Sequence, residues 1–142
     1  MSRMVLFALL GALLGTTACD EAAKKEAMDL DRAFLAYREA DNARRPELAT
    51  RLEAVPCTSK DVCDAKAACV ATAKPTGEGL AKKHTVEAFM ANELTKLAPG
   101  DPKALEMLVE LDAAEKLLVR GKDAMPACDE AMRTLRKTHG LR

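Results

Sequence analysis

The residues of this chain that could do chemistry are few. They are five cysteines, two histidines (His84 and His139), the carboxylates Glu106 and Glu110, and a glycine segment, Gly77-Glu78-Gly79, followed by Lys82 and Lys83. Cys57, Cys63, Cys69 and Cys128 form an even set, which in an oxidising compartment reads as disulfides with three possible connectivities. Cys63 and Cys69 are six apart on one expected helix. The rise between them is ~9 Å and their side chains diverge, whereas a disulfide needs Cα atoms within about 7 Å. Cys57 sits just before the expected helix cap and Cys63 about one turn in, where the entering chain is pinned. The expected pairs are therefore Cys57 with Cys63 and Cys69 with Cys128, the second joining apolar stripes of different helices.

The other chemistries find little support. The spacing C-x5-C-x5-C does not match structural zinc sites, whose ligands sit two to four apart, and neither histidine lies near it in sequence. Without Cys-x-x-Cys or Cys-x-x-Cys-His, neither thiol redox catalysis nor attached haem is expected. His84 has Glu87 three residues on, too few ligands for a metal, and reads as a surface histidine. The glycine segment lacks the phosphate-loop pattern and reads as a loop between helices. Glu106 and Glu110 share a helix face, but no second helix carries Glu-x-x-His, so the face reads as solvated. Arg133, Arg136, Lys137, His139 and Arg142 make a small basic end that the helix macrodipole alone explains. The expectation is no metal, no cofactor and no enzyme.

The elements that must position these residues read as helices throughout. Trp, Ile and Gln are missing, Ala is abundant, and no alternating strand pattern occurs. A first helix from Ala22 to about Arg44 carries Ala27, Leu30, Phe34 and Tyr37 on one stripe. Pro46 opens a short second helix with Leu48, Leu52 and Val55 inward, ending before Pro56. Thr58 or Ser59 caps a third, with Val62, Cys69 and Ala73 on its stripe, which is expected to stop near Lys74 at the Pro75 to Gly79 breaker cluster. A fourth, from Leu80 to Leu97, presents Val86, Met90, Leu94 and Leu97; a fifth begins at Pro102 with Leu105, Leu108, Leu111 and Leu118 toward the core. Gly121 and Pro126 either kink this helix or start a sixth, and Met125, Cys128, Met132 and Leu135 share a stripe in both cases. Phe34, Tyr37 and Met90 lie on inward stripes; Phe89 does not. The fold class expected is an all-α, disulfide-stapled bundle of about five to six helices.

The N-terminal segment is expected to be processed away. Arg3 is followed by an eleven-residue apolar run, Val5 to Gly15, and then by Thr16-Thr17-Ala18-Cys19. Spanning a membrane takes ~20 apolar residues, so the run fits a secretory leader better than an anchor. These residues resemble the type II signal peptide of bacterial lipoproteins, which implies cleavage before Cys19 and lipidation of its sulfur. Thr16 stands where that family most often has Leu. The small residues also suit ordinary signal cleavage, but that would leave an odd thiol at the new terminus, whereas lipidation of Cys19 leaves an even set. The expected organisation is a cleaved signal over residues 1–18 and one helical domain over residues 19–142, tethered through Cys19.

The whole chain has 22 basic and 22 acidic residues, and removing Arg3 leaves the mature domain at 21 − 22 = −1. Such a balance gives no preference for nucleic acid. The function expected is that of a lipid-anchored binding or scaffolding protein with a protein partner in the bacterial cell envelope, facing the periplasm or cell surface, with the choice of membrane open. The alternative is a periplasmic inhibitor or immunity protein that blocks a toxin or envelope enzyme.

Overall fold

A computed structural model describes residues 15–93 and 96–141 of the chain, with side chains from residue 20 onward. Arg3, the apolar run from Val5 up to residue 14, the Cys19 side chain, Leu94 and Arg142 lie outside the described residues. The described chain is helical, with no strand among the described residues, and comprises α1 (Gly15–Glu39), α2 (Arg45–Ala54), α3 (Lys60–Asn92) and α4 (Pro102–His139). The all-α, disulfide-stapled class holds, while the helix count expected from sequence is corrected from five or six to four.

The correction has a physical cause at two places. α3 runs unbroken through Pro75, Gly77 and Gly79, so the expected third and fourth helices are one. A proline inside a helix removes one backbone donor and crowds the preceding turn, at a cost of about 3 kcal/mol. Here Pro75 is buried, and the turn around it is tied by side-chain hydroxyls. Thr76 Oγ1 donates to the Thr72 carbonyl at 2.8 Å, and Thr72 Oγ1 donates to the Gly121 carbonyl on α4 at 2.7 Å. The glycines serve close approach rather than a turn. A Cβ on Gly79 would stand 2.9 Å from the Ala114 carbonyl oxygen, and one on Gly77 3.0 Å from the Ala49 Cβ. α4 likewise passes straight through Gly121 and Pro126, because Gly121 is the residue that lets α4 press onto Thr72 and Thr76.

α3 and α4 form the most extensive helix pairing. They are antiparallel: along α3 the contacts at Cys69, Thr72 and Lys82 meet Cys128, Gly121 and Glu110 on α4. α1 and α2 pack against the half of this hairpin that holds the disulfides, with Pro46 and Ala49 of α2 reaching as far along α3 as Gly77. The core there joins Leu30, Phe34 and Tyr37 of α1, Leu48 and Leu52 of α2, Val62 and Cys69 of α3, and Cys128, Met132 and Leu135 of α4. Truncating a fully buried Leu such as Leu30 or Leu52 to Ala costs about 2–5 kcal/mol. α1 ends at Glu39, short of the expected Arg44, because Asp41 Oδ1 accepts the Arg44 N–H at 2.9 Å and turns the chain into α2.

The helix ends are individually secured. Asp101 caps α4 by accepting the Lys103 N–H at 2.9 Å. Gly140 closes it in the left-handed conformation, at a φ of 61°. The Leu141 N–H then returns to the Arg136 carbonyl at 2.9 Å, and Leu141 packs against the core.

Candidate functional site

Beyond the core, the α3–α4 hairpin continues as an arm. Among the described residues between Leu80 and Leu118, only Val86 and Ala114 are buried hydrophobic side chains, so the two helices of the arm meet through a thin layer. Among the described residues no helix covers the outer face of α4. Leu105, Leu108, Val109 and Val119 are 63%, 61%, 66% and 57% exposed. At 100° per residue these four fall within an arc of about 100°, the width of an ordinary core-facing stripe. Asp112 and Lys116 occupy the middle of that arc, paired at 2.6 Å. Both are largely exposed, so solvent screens the pair and it adds little to the helix. The result is a largely apolar exposed surface with a charge pair at its centre.

This arrangement corrects several sequence expectations. Leu105 and Leu108 keep the spacing of a core stripe but face outward, because α1 and α2 do not extend along the arm. Met90, expected inward, is 50% exposed on α3, whereas Phe89 is half-buried. Phe34 and Tyr37 are buried in the core, as their stripe indicates, and are not part of an outer patch.

The residues singled out for chemistry are dispersed. His84 is exposed on the arm, and its neighbour Glu87 faces Lys83 at 3.8 Å. Gly77, Glu78 and Gly79 lie inside α3, where the backbone N–H groups are engaged by the helix and form no phosphate cradle. Lys82 binds Glu110 across the arm at 2.5 Å, which separates Glu110 from Glu106 as a carboxylate pair. Among the described residues no group of three or more His, Cys, Asp or Glu side chains converges as a metal site would require.

His139 is the residue that sequence reasoning misplaced. Read as part of a basic end that the macrodipole explains, its side chain is only 6% exposed, and Nε2 lies 2.6 Å from Asp61 Oδ2 at the start of α3. The imidazole beside it is the first cause holding the Asp61 carboxyl below its ordinary range. The Ser59 N–H, two residues earlier, donates to the Glu26 carboxylate of α1 at 3.0 Å. Its neighbours in the basic end are neutralised too: Arg136 bonds Asp31 of α1 at 2.7 Å, and Arg133 bonds Glu130. Asp129 of α4 pairs with Arg38 of α1 at 2.6 Å.

The disulfides set the frame for all of this. Cys57 and Cys63 are bonded with Cα atoms 5.4 Å apart, and Cys69 and Cys128 with Cα atoms 4.6 Å apart. The first binds the α2–α3 connection to the first turn of α3; the second is fully buried and joins α3 to α4 at the base of the arm. Among the described residues no helix is long and apolar enough to cross a membrane. Comparisons with protein-family models, curated proteins and solved structures find nothing that matches this chain.

Proposed function

We propose that this protein is a lipid-anchored binding module of a bacterial cell envelope, in which the disulfide-bonded core presents the outer face of α4 to a protein partner. The observation that carries this reading is the apolar arc of Leu105, Leu108, Val109 and Val119 on an arm that no other described helix covers. Burying a Leu or Val from such a face contributes roughly 1.5–3 kcal/mol per side chain. A partner that covers all four therefore gains enough for specific capture. The central Asp112–Lys116 pair would set the register of the partner through charge, as polar groups within an apolar contact commonly do.

The anchor in this reading is Cys19. The distance from Cys19 to Ala27, the first buried residue of α1, is eight residues, or about 12 Å of helix. Lipidation there would hold the core close to the bilayer surface, and more than one acyl chain is needed for a stable hold. Cys19→Ser is expected to release the protein from the membrane fraction or to block its processing. Unchanged membrane association with a normally processed terminus would remove the anchor from the proposal.

The binding face is tested separately, by photo-crosslinking from position 108 in whole cells. A discrete crosslinked species that Val109→Glu abolishes, in protein whose circular dichroism is unchanged, is the expected result. A crosslinking pattern indifferent to Val109→Glu and Leu105→Glu would show that the arm is not the contact surface.

A further inference from the structure

We propose that the cavity where all four helices meet beside the start of α2 binds a small organic oxyanion, a carboxylate or phosphate monoester on a short apolar body. The cavity is about 430 Å³ and is lined by Tyr37 and Arg38 from α1, Arg45 from α2, Thr76 from α3, and Leu118, Lys122 and Met125 from α4. It carries three cations and no carboxylate in its lining. Such a volume lies within the range of small-molecule sites.

The three cations are not equivalent. Arg38 is committed: Nη1 donates to Asp129 Oδ1 at 2.6 Å and faces the Met125 sulfur at 3.5 Å. Arg45 is not. Its Nη1 reaches only the amide oxygen of Asn42, at 3.2 Å, and its Nε is shut away from solvent with no acceptor among the described residues. No ion pair among the described residues involves Arg45 or Lys122. Arg45 and Lys122 thus bring two cations without a carboxylate partner to one cavity, and charge-assisted hydrogen bonds from such groups to the oxygens of an anion are the strong kind. Tyr37 is only 2% exposed and brings its phenol to the same cavity. A phenol can donate to the same oxygens that Arg45 and Lys122 would neutralise.

The remaining walls specify the rest of the ligand. Leu118, Met125 and the Tyr37 ring are apolar and lie beside the charged groups. A head of two or three oxygens at Arg45 and Lys122 therefore leaves a short hydrocarbon portion against them.

The test is a titration of the full chain, with both disulfides oxidised, followed by backbone amide NMR. The probes are hexyl phosphate, hexanoate, inorganic phosphate and hexylammonium. Saturable shifts centred on Tyr37, Arg45 and Lys122 are expected with hexyl phosphate or hexanoate and not with hexylammonium. The tighter of the two names the head group, and inorganic phosphate should bind at least tenfold more weakly than hexyl phosphate. Lys122→Glu, at an exposed position that leaves folding intact, should weaken binding at least tenfold, and Arg45→Gln should do the same in protein that melts normally. The site is overturned if neither organic anion saturates, if hexylammonium binds equally, or if Lys122→Glu leaves the affinity unchanged. Equal binding of inorganic and hexyl phosphate would overturn the apolar half of the ligand.

Discussion

Glu26 of α1 caps α3 in place of the side chain of Ser59. Its carboxylate accepts the Ser59 N–H at 3.0 Å and the Thr58 N–H at 2.8 Å, and it takes the Thr58 hydroxyl at 2.5 Å. Ser59 occupies the N-cap position in extended backbone but makes no cap bond of its own. A negative group at this place also meets the positive end of the α3 macrodipole.

That geometry gives a pH dependence with a definite sign. The Thr58 hydroxyl, followed by the backbone N–H groups of Thr58 and Ser59, lowers the Glu26 pKa from 4.5 to about 2. A carboxyl depressed in the fold binds its proton more readily in the unfolded chain. Its contribution is therefore complete above about pH 4.5 and is lost as pH falls through about 2. Asp61, lowered chiefly by His139, acts in the same direction. Thermal melts by circular dichroism should show Tm falling across this window in the native protein and falling less in Glu26→Gln. Parallel slopes would show that the cap is not formed in solution.

The two disulfides should differ in what they contribute. Cys69–Cys128 spans 59 residues of sequence and Cys57–Cys63 only six. Loop-closure entropy assigns about 4 kcal/mol to a loop of the first length and about 2 kcal/mol to one of the second. Replacing Cys69 and Cys128 together by Ala should lower the urea midpoint more than replacing Cys57 and Cys63. The reverse order would mean that the short staple holds the α2–α3 connection more tightly than entropy alone provides.

Gly121→Ala should destabilise, against the direction of helix propensity. In an open helix the change gains up to about 1 kcal/mol. At this position the new Cβ would stand 2.9 Å from the Thr72 carbonyl oxygen and collide with the Thr76 hydroxyl. Overpacking of this kind costs typically ~1–3 kcal/mol. A rise in the denaturation midpoint would show that α3 and α4 separate more easily than the contact implies.

His139 is expected to act as a strut between helix ends. Asp61→Asn and His139→Ala should each lower stability by about 1.5–3 kcal/mol, the scale of a hydrogen bond to a charged group. Because the residues act on one another, the double variant should lose less than the two losses combined. Full additivity in the cycle would show that the pair is not coupled.

What could be read from the sequence was whatever one helix decides for itself. Ala27, Leu30, Phe34 and Tyr37 recur at helical spacing, and all are buried. Where a neighbouring helix decides the outcome, sequence rules failed. Pro75, Gly77, Gly79 and Gly121 have the composition of loops, yet they sit in continuous helices because close contact with α2 and α4 requires small side chains. Leu105 and Leu108 carry the same periodicity as Leu30, and periodicity cannot tell whether a partner lies opposite. His139 was unreadable for a related reason, since Asp61 stands 78 residues away in the chain. The orphaned Nε of Arg45 leaves no sequence signal, because it arises from where α2 is set down rather than from its neighbours in the chain.

Both disulfides, the α1 and α2 packing and the large core side chains lie at one end of the α3–α4 hairpin. The molecule should therefore have two tiers of cooperativity. Amide protons around Cys69 and Cys128 should exchange only through global unfolding. Those past Leu80 on α3, and before Ala114 on α4, should exchange through a smaller local opening of the arm. A partner that covers Leu105, Leu108 and Val109 would then raise protection in the arm far more than in the base. Hydrogen exchange would thus show an occupied face as a change in the rank order of the two helices' amides, without any movement of the core.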